Sequence, residues 1–144
     1  MSYNRDWDAF NREVITHFRA TGGEGKVGGK IVPVILLTTI GAKSGLPRTT
    51  PLNYSRDGDR IIVIASKGGS PTHPDWYHNL VANPEVTVEL GTERFQARAS
   101  VAEGQERERL FDQQAALMPF FAKYQETTPR QIPVVILERI NGDS

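Results

Sequence analysis

The sequence contains no cysteine among its 144 residues, which excludes disulfides, thiolate zinc sites and a cysteine nucleophile. It has no excess of charge of either sign, because 17 basic residues balance 17 acidic ones. A net charge of zero argues against nucleic acid or an acidic membrane as the main partner. No apolar run reaches the ~18 residues of a membrane span. We therefore expect one globular domain in the reducing cytoplasm, with at most a peripheral contact to a membrane.

The sequence also lacks the signatures of several catalytic classes. It has no G-x-S-x-G pattern, so no hydrolase nucleophile elbow is expected. His17, His73 and His78 show no H-E-x-x-H spacing and have no thiol partners, so no metal site is expected. Asp57 and Asp59 flank a glycine, which is typical of a hairpin turn rather than of paired catalytic carboxylates.

Two loops of similar composition each follow an apolar, β-branched run. The first loop, residues 41–47, contains Lys43 and is followed at once by Arg48. The second loop, residues 66–70, reads Ser-Lys-Gly-Gly-Ser and contains Lys67. Glycine lets backbone N–H groups approach a ligand closely, and lysine, arginine and serine supply charge and donors. We expect the two loops to converge on one anionic ligand that carries a phosphate or a carboxylate.

The ligand of these loops is not expected to be a nucleoside triphosphate. Leu37 and Ala42 stand where a P-loop requires glycine, and the first loop leads into a predicted strand rather than a helix. Trp76 and Tyr77 follow the second loop, where they either pack in the core or cover a flat ring of the ligand. A flat ring together with a phosphate describes a flavin-like cofactor.

Hydrophobic periodicity and turn residues predict about six strands and three helices. The strands are expected at residues 33–39, 49–56, 60–66, 85–90, 94–101 and 132–137. The helices are expected at residues 6–21, 75–83 and 103–123. Pro119 is expected to break or kink the last helix. Short turns favour antiparallel pairing, so the expected fold is α+β and mainly β, a small barrel or closed sheet decorated by helices.

The first 24 residues are expected to form an amphipathic helix followed by a glycine-rich linker, while residues 25–144 form the barrel of the same domain. The apolar face of this helix is formed by Trp7, Phe10, Val14, Ile15 and Phe18. Such a helix packs on the core, closes over a site as a flap, or rests on a partner or membrane surface. Acidic and basic residues are mixed on its polar face, which argues against the membrane surface.

Four stretches, in this order, resemble the deazaflavin-dependent nitroreductase family. They are residues 36–52, residues 65–69, the region from Pro74 to Pro84 and residues 132–135. The resemblance extends from about residue 25 to residue 137. It implies a split β-barrel and the use of coenzyme F420, a deazaflavin that carries hydride.

The resemblance also implies the residues of the site. Ala42, Lys43, Ser44 and Arg48 would hold the phosphate and the acidic tail of the cofactor. The cofactor would run along Thr49, Thr50, Pro51, Leu52, Asn53, Ile64, Ala65, Ser66 and Lys67, with Asp75, Trp76, Tyr77, His78 and Asn79 packed beside it. The substrate pocket would contain Asn53, Met118, Phe121 and Tyr124. Ser66 and Tyr124 are the candidates for a catalytic hydroxyl.

The implied function is hydride transfer between reduced F420 and an activated organic acceptor, such as a quinone, an enone or a nitro compound. Met118, Phe120 and Phe121 make the late helix apolar, which favours flat lipophilic acceptors such as quinones and enones. Two alternatives stay open: an FMN enzyme on a similar split barrel, and a protein that binds the deazaflavin without catalysis. Split barrels often pair as homodimers, although the amphipathic helix can cover the exposed face instead.

Overall fold

The computed structural model describes the backbone of residues 4–140 and the side chains of residues 9–140, so the predicted apolar contribution of Trp7 lies outside the described side chains. The helices in that range are α1 (Asn4–Thr21), α2 (Asp75–Ala82), α3 (Gly104–Leu117) and α4 (Phe120–Glu126). The strands are β1 (Lys26–Val27), β2 (Lys30–Ile31), β3 (Val34–Ile40), β4 (Pro47–Asn53), β5 (Ser55–Asp57), β6 (Arg60–Ile64), β7 (Glu85–Leu90), β8 (Glu93–Val101) and β9 (Val134–Arg139). None of the described helices is long and apolar enough to cross a membrane.

Seven of these strands form one antiparallel sheet in the order β4-β3-β7-β8-β9-β6-β5. The strands β4 and β5 are the two edges of the sheet, yet Tyr54 alone separates them in the chain. The sheet must therefore curl until its edges approach, and β4 does lie close to β6. The result is the split β-barrel with antiparallel strands that the sequence predicted.

Alternate side chains of β3 are buried on opposite faces of the sheet. Ile35 and Leu37 belong to the core inside the barrel. Val34 and Leu36 pack outside it against Phe18 of α1. The continuous apolar run of β3 is thus buried on both faces, as predicted. Of the three possibilities given for the N-terminal helix, the structure shows the first, because α1 packs on the barrel.

Helices α3 and α4 cover another part of the barrel, where β6 and β9 face outward. Ile62 of β6 packs there with Leu110 of α3 and Phe121 of α4. The single helix predicted at residues 103–123 is divided, because Pro119 cannot continue α3 and α4 begins directly after it. The predicted effect of this proline is therefore confirmed.

The structure differs from the predicted elements at three main points. Residues 26–31, for which no strand was predicted, form the β1–β2 hairpin, which is a small sheet of its own. The strand predicted at residues 49–56 is two strands, because the chain passes from one sheet edge to the other at Tyr54. The large sheet accordingly has seven strands rather than about six. The third predicted strand ends at Ile64 instead of Ser66, where the backbone turns into the second loop.

Leu37→Ala should destabilise the protein by about 2–5 kcal/mol, since Leu37 is fully buried and its truncation leaves a cavity inside the barrel. Urea unfolding followed by circular dichroism measures the change in the free energy of unfolding. Leu46→Ala is the matched control: Leu46 is 61% exposed, and its truncation should change that free energy by less than ~0.5 kcal/mol. Equal losses in the two variants would contradict the assigned core.

Candidate active site

Both loops leave the same end of the barrel. Four antiparallel pairings lie between β3 and β6 in the sheet, so the two strands run in the same direction and their C-terminal ends lie together. A cleft of about 1780 Å³ opens there, bordered by the two loops, β4, α1, α2 and α4. The two loops that were expected to converge thus line one cavity.

The cleft brings together most of the residues predicted for the cofactor site. These are Ala42, Lys43, Ser44, Arg48, Thr49, Thr50, Pro51, Leu52, Asn53, Ile64, Ser66, Lys67, Asp75, Trp76, His78 and Asn79. Phe121 and Tyr124, predicted for the substrate pocket together with Asn53, line the same cleft. The predicted cofactor and substrate residues therefore share one continuous surface.

Three predicted residues do not line the cleft. Ala65 is fully buried and belongs to the core inside the barrel. Tyr77 packs against that core and against the ring of His73, with 4.7 Å between ring centroids. Met118 is buried in the core that α3 and α4 cover. These three side chains support the walls of the site and do not form its surface.

The first loop is held as a tight turn by its own polar groups. The Gly41 N–H donates to Leu46 O at 2.8 Å, and the Gly45 N–H donates to Gly41 O at 2.9 Å. The Leu46 N–H donates to Ser44 Oγ at 3.1 Å. A Cβ at Gly41 would clash with this hydroxyl, and Gly45 has a φ of 71°. Both glycines are therefore required by the turn.

Asn79 of α2 fixes the first loop to the barrel. Its Oδ1 accepts from the Ala42 N–H at 2.9 Å, and its Nδ2 donates to Thr39 Oγ1 at 3.1 Å. Asn79 and Thr39 are both buried, so their hydrogen bond is shielded from water and is strengthened by the low local dielectric. The start of the first loop is thus tied to both α2 and β3.

Two of the cations that line the cleft are not used by the fold, whereas the Lys67 Nζ donates to Thr72 Oγ1 at 3.2 Å. Lys43 and Arg48 are exposed, and within residues 4–140 neither makes an ion pair or a side-chain hydrogen bond. Arg12 of α1 lines the same cleft. Asp75, at the start of α2, is the one carboxylate in the described lining. An excess of free positive charge at this rim favours an anionic ligand group.

The second loop contains backbone N–H groups without acceptors. Those of Ser66, Lys67 and Gly68 donate to no residue in the described part of the chain. Ser66 has right-handed backbone angles (φ −79°, ψ −36°), whereas Lys67 and Gly68 have φ of 48° and 63°. A right-handed residue followed by a left-handed one forms a nest, a concavity of N–H groups that binds anionic oxygen. Lys67 is a strained position, since left-handed backbone is unfavourable for residues other than glycine.

An aromatic wall on α4 faces these loops across the cleft. Phe120, Phe121 and Tyr124 form it, with ring centroids 4.6 Å apart for the two phenylalanines and 5.6 Å apart for Phe120 and Tyr124. The Tyr124 hydroxyl has no hydrogen-bond partner within residues 4–140. The same holds for the hydroxyl of Ser66, which is buried beside the nest. Both hydroxyls are available to a ligand.

Sequence reasoning missed part of the cleft lining. The lining residues outside the two predicted loops and the predicted late helix that were not assigned to the site are Asn11, Arg12, Ile15, Pro74 and Thr127. The contribution of α1 was missed because hydrophobic periodicity locates the buried face of a helix, but it cannot separate a ligand-facing polar residue from a solvated one. Arg130, which binds the second loop from behind, was also missed, since a single arginine between two elements carries no periodic signal.

The family model of F420H(2)-dependent quinone reductases matches residues 10–139. An F420H(2)-dependent quinone reductase of Mycobacterium tuberculosis is 41% identical over 126 residues, which are 82% of this chain and 83% of the relative. A solved structure of an F420-H2 dependent reductase (FDR-A) is 43% identical with a TM-score of 0.69, and the match covers 74% of this chain and 94% of that one. A second solved structure, described as a domain-swapped dimer, is 37% identical with a TM-score of 0.71. That match covers 94% of this chain and 99% of the other.

These matches confirm the predicted dependence on coenzyme F420 and the predicted oxidoreductase activity. The nitroreductase label of the resemblance is not confirmed, because the matching family consists of quinone reductases. FMN therefore stands only as an alternative to F420.

Asn79→Ala should destabilise the protein by ~1–3 kcal/mol, because it leaves the buried Thr39 hydroxyl and the Ala42 N–H without their partner. Thermal and urea unfolding both measure this loss. Asn83→Ala is the matched control at the end of the same helix, since Asn83 is exposed and is bound through its backbone N–H. An Asn79→Ala protein as stable as the control would show that this bridge does not hold the first loop.

Proposed function

Since the chain belongs to the F420H(2)-dependent quinone reductase family, we propose that its cleft binds reduced F420 and that the protein catalyses hydride transfer from this cofactor to a quinone. The observation that supports the proposal most is the convergence of two chemically different loops on one cleft. The first loop offers free cations, and the second loop offers unpaired backbone N–H groups. A cofactor with an anionic tail and polar ring oxygens matches both loops.

The anionic end of the cofactor belongs at the first loop. Lys43 and Arg48 bind the phosphate and the acidic tail through charge-assisted hydrogen bonds. Ser44 Oγ accepts from the Leu46 N–H and still has its own hydrogen to donate. The Ala42 N–H is already bound to Asn79, so Ala42 shapes the site and adds no donor. Of the four residues predicted for the tail, Lys43, Ser44 and Arg48 thus supply donors, and Ala42 supplies none.

Residues of β4 and of the second loop would hold the ring of the cofactor, and Trp76 lines the same cleft. The nest formed by residues 66–68 donates N–H groups to a ring carbonyl oxygen. Donors that are ordered in advance stabilise the negative charge that develops there during the reaction. When bound, the reduced deazaflavin supplies the hydride.

A proton must accompany the hydride, because conversion of a quinone to a hydroquinone consumes one hydride and one proton. We assign the proton to Tyr124 Oη, which lies on the aromatic wall and is partly exposed to the cleft. Ser66 Oγ is the second candidate, since it is buried beside the nest. A positioned hydroxyl of this kind acts as a general acid.

The aromatic wall selects the acceptor by shape and apolar contact. Phe120, Phe121 and Tyr124 present flat surfaces on which a quinone ring stacks. The Nδ2 of Asn53 donates to Pro33 O at 3.1 Å, which leaves its Oδ1 as an acceptor. Quinones and enones match this wall by buried apolar area, so we place them ahead of nitro compounds.

A homodimer is a further proposal. The 37% identical relative is a domain-swapped dimer, which supports pairing for this chain as well. The cytoplasmic location expected from the composition stays a prediction.

Lys43→Ala and Arg48→Ala should each weaken F420 binding by ~1–3 kcal/mol, which is the cost of losing a charge-assisted contact. Fluorescence titration with oxidised F420 measures the Kd, and a parallel titration with FMN tests the alternative cofactor. Lys30→Ala is the matched control, because Lys30 is exposed on β2 and lies outside the described cleft lining. Unchanged affinity in both cleft variants would contradict the placement of the tail, and tighter binding of FMN than of F420 would contradict the cofactor.

Tyr124→Phe should lower kcat for menadione reduction by about tenfold or more, because it removes the proton donor, and it should leave the Kd of F420 unchanged. Anaerobic assays that follow the absorbance of the deazaflavin measure turnover, and Tyr54→Phe serves as a tyrosine control outside the described lining. An unchanged kcat would contradict the assignment to Tyr124. A wild-type protein that binds reduced F420 but reduces neither menadione nor a cyclic enone would be a cofactor-binding protein without catalysis.

A further inference from the structure

Arg130 lies behind the second loop and binds it at several points. Its Nε donates to Ser70 O at 2.8 Å, and its Nη2 donates to Ser66 O at 2.7 Å. Its Nη1 donates to Ala65 O at 3.2 Å and is hydrogen-bonded to His73 Nδ1 at 2.8 Å. These acceptors are all neutral, and no carboxylate within residues 4–140 pairs with Arg130. The guanidinium therefore serves the loop and is not part of a surface ion pair.

The backbone of Arg130 is fixed independently of the loop that its side chain binds. Gln125 of α4 donates from Nε2 to Arg130 O at 2.8 Å and accepts the Ile132 N–H on Oε1 at 2.9 Å. The Arg130 N–H donates to Thr128 Oγ1 at 3.4 Å, and Thr128 is buried. Arg130 thus extends from a segment between α4 and β9 that Gln125 ties to α4.

The contacts with Arg130 determine where the nest faces. In a trans peptide unit the carbonyl group and the following N–H point in opposite directions. Because the carbonyls of Ala65 and Ser66 point to Arg130, the N–H groups of Ser66 and Lys67 point away from it. These are two of the three unpaired N–H groups of the nest. Of the loop's own backbone bonds, the one from the Gly69 N–H also holds Ser66 O, and the one from the Ser70 N–H goes to Lys67 O. Neither of them holds Ala65 O, so Arg130 reinforces the orientation of the Ser66 carbonyl and supplies that of the Ala65 carbonyl.

We propose that Arg130 is a positioning residue for the cofactor ring. Its hydrogen bonds turn the carbonyl groups of Ala65 and Ser66 away from the cleft, so that the nest N–H groups face the cleft. Neutral His73 is the side-chain acceptor that helps to hold the guanidinium in place. The inference rests on the proposed F420 function and assigns to Arg130 no contact with the cofactor itself. It predicts that the geometry of the nest, and with it the affinity for the ring, depends on a residue outside the described cleft lining.

His73 must be neutral for this arrangement. Arginine has no acceptor and keeps its proton, so His73 Nδ1 accepts and its Nε2 carries the hydrogen. The charged and titratable groups that face His73 are Arg130 and, from α2, Tyr77 and His78. Burial lowers the pKa of His73 below its usual 6.5, and the charges of Arg130 and His78 lower it further. As the pH falls through this lowered pKa, protonation places an N–H against the guanidinium and the hydrogen bond is lost.

The sign of the resulting pH effect separates His73 from its neighbour His78. The ordered loop is present above the pKa of His73 and is lost below it, so F420 binding weakens in acid. His78 lines the cleft, and a positive charge on His78 would instead strengthen the binding of an anionic cofactor. An acidic loss of affinity is therefore assigned to His73.

Arg130→Lys is the first test, because it keeps the charge and removes the planar fork. The Kd for oxidised F420 should rise about tenfold. In the cofactor-free protein, hydrogen exchange of the Gly69 and Ser70 amides, which are bonded inside the loop, should become faster. Arg98→Lys is the matched control, since Arg98 forms an exposed ion pair with Glu85 and should change neither quantity.

His73→Asn is the second test and a milder variant, because asparagine offers an acceptor oxygen near the position of Nδ1 and does not titrate. The Kd of the wild type should rise as the pH falls from ~6.5, the ordinary pKa of histidine, through the lowered pKa of His73. The ratio of the wild-type Kd to the Kd of His73→Asn should rise over the same range. Any titration of F420 itself is common to both proteins and cancels in this ratio. His73→Phe, which offers no acceptor, should bind more weakly than His73→Asn at every pH.

The outcomes of these tests distinguish the two proposals. If Arg130→Lys binds F420 like the wild type with unchanged exchange of the loop amides, or if wild type and His73→Asn lose affinity in parallel in acid, the positioning role is overturned. If the wild type does not bind F420 at all, the proposed function fails, and the exchange of the Gly69 and Ser70 amides still decides whether Arg130 orders the second loop.

Discussion

The structure depends on the closure of one antiparallel sheet on itself. Tyr54 alone joins the two edge strands, so the sheet has to curl, and an even number of antiparallel pairings then sets β3 and β6 in the same direction. Their C-terminal ends, and the two loops that follow, meet at one end of the barrel. The site is therefore a consequence of strand order, and the continuous apolar runs of β3 and β6 stabilise that order because they are buried on both faces.

The two loops provide electrostatic groups of different kinds. The first loop contributes exposed side-chain charge at the rim, which suits an anionic tail. The second loop contributes fixed backbone dipoles, which suit a ring that must be held in one place for hydride transfer. Each loop is held by a polar side chain from a neighbouring segment, Asn79 for the first and Arg130 for the second. The donors are thus ordered before a ligand arrives, which lowers the entropic cost of binding.

Much of the fold could be predicted from the sequence because its signals are local. The continuous apolar run of β3 indicated burial on both faces, the glycines and lysines of the two loops indicated an anion site, and Pro119 indicated the end of a helix. The division of the predicted strand at Tyr54 could not be predicted, since it depends on which strands are the edges of the sheet. The role of Arg130 could not be predicted either, because its partners are distant in sequence and its own neighbours carry no pattern.

We propose that one cleft holds F420 between the first loop and the nest of the second loop. Titration of the ¹⁵N-labelled protein with oxidised F420, followed by amide chemical shifts, tests it most directly. Binding in this cleft should give saturable shifts at Ser66, Lys67 and Gly68, together with shifts at Lys43 and Ser44. Val81 and Val101, which are exposed outside the described lining, should not shift. Saturable binding that leaves both loops unshifted, or that shifts residues away from this cleft instead, would contradict it.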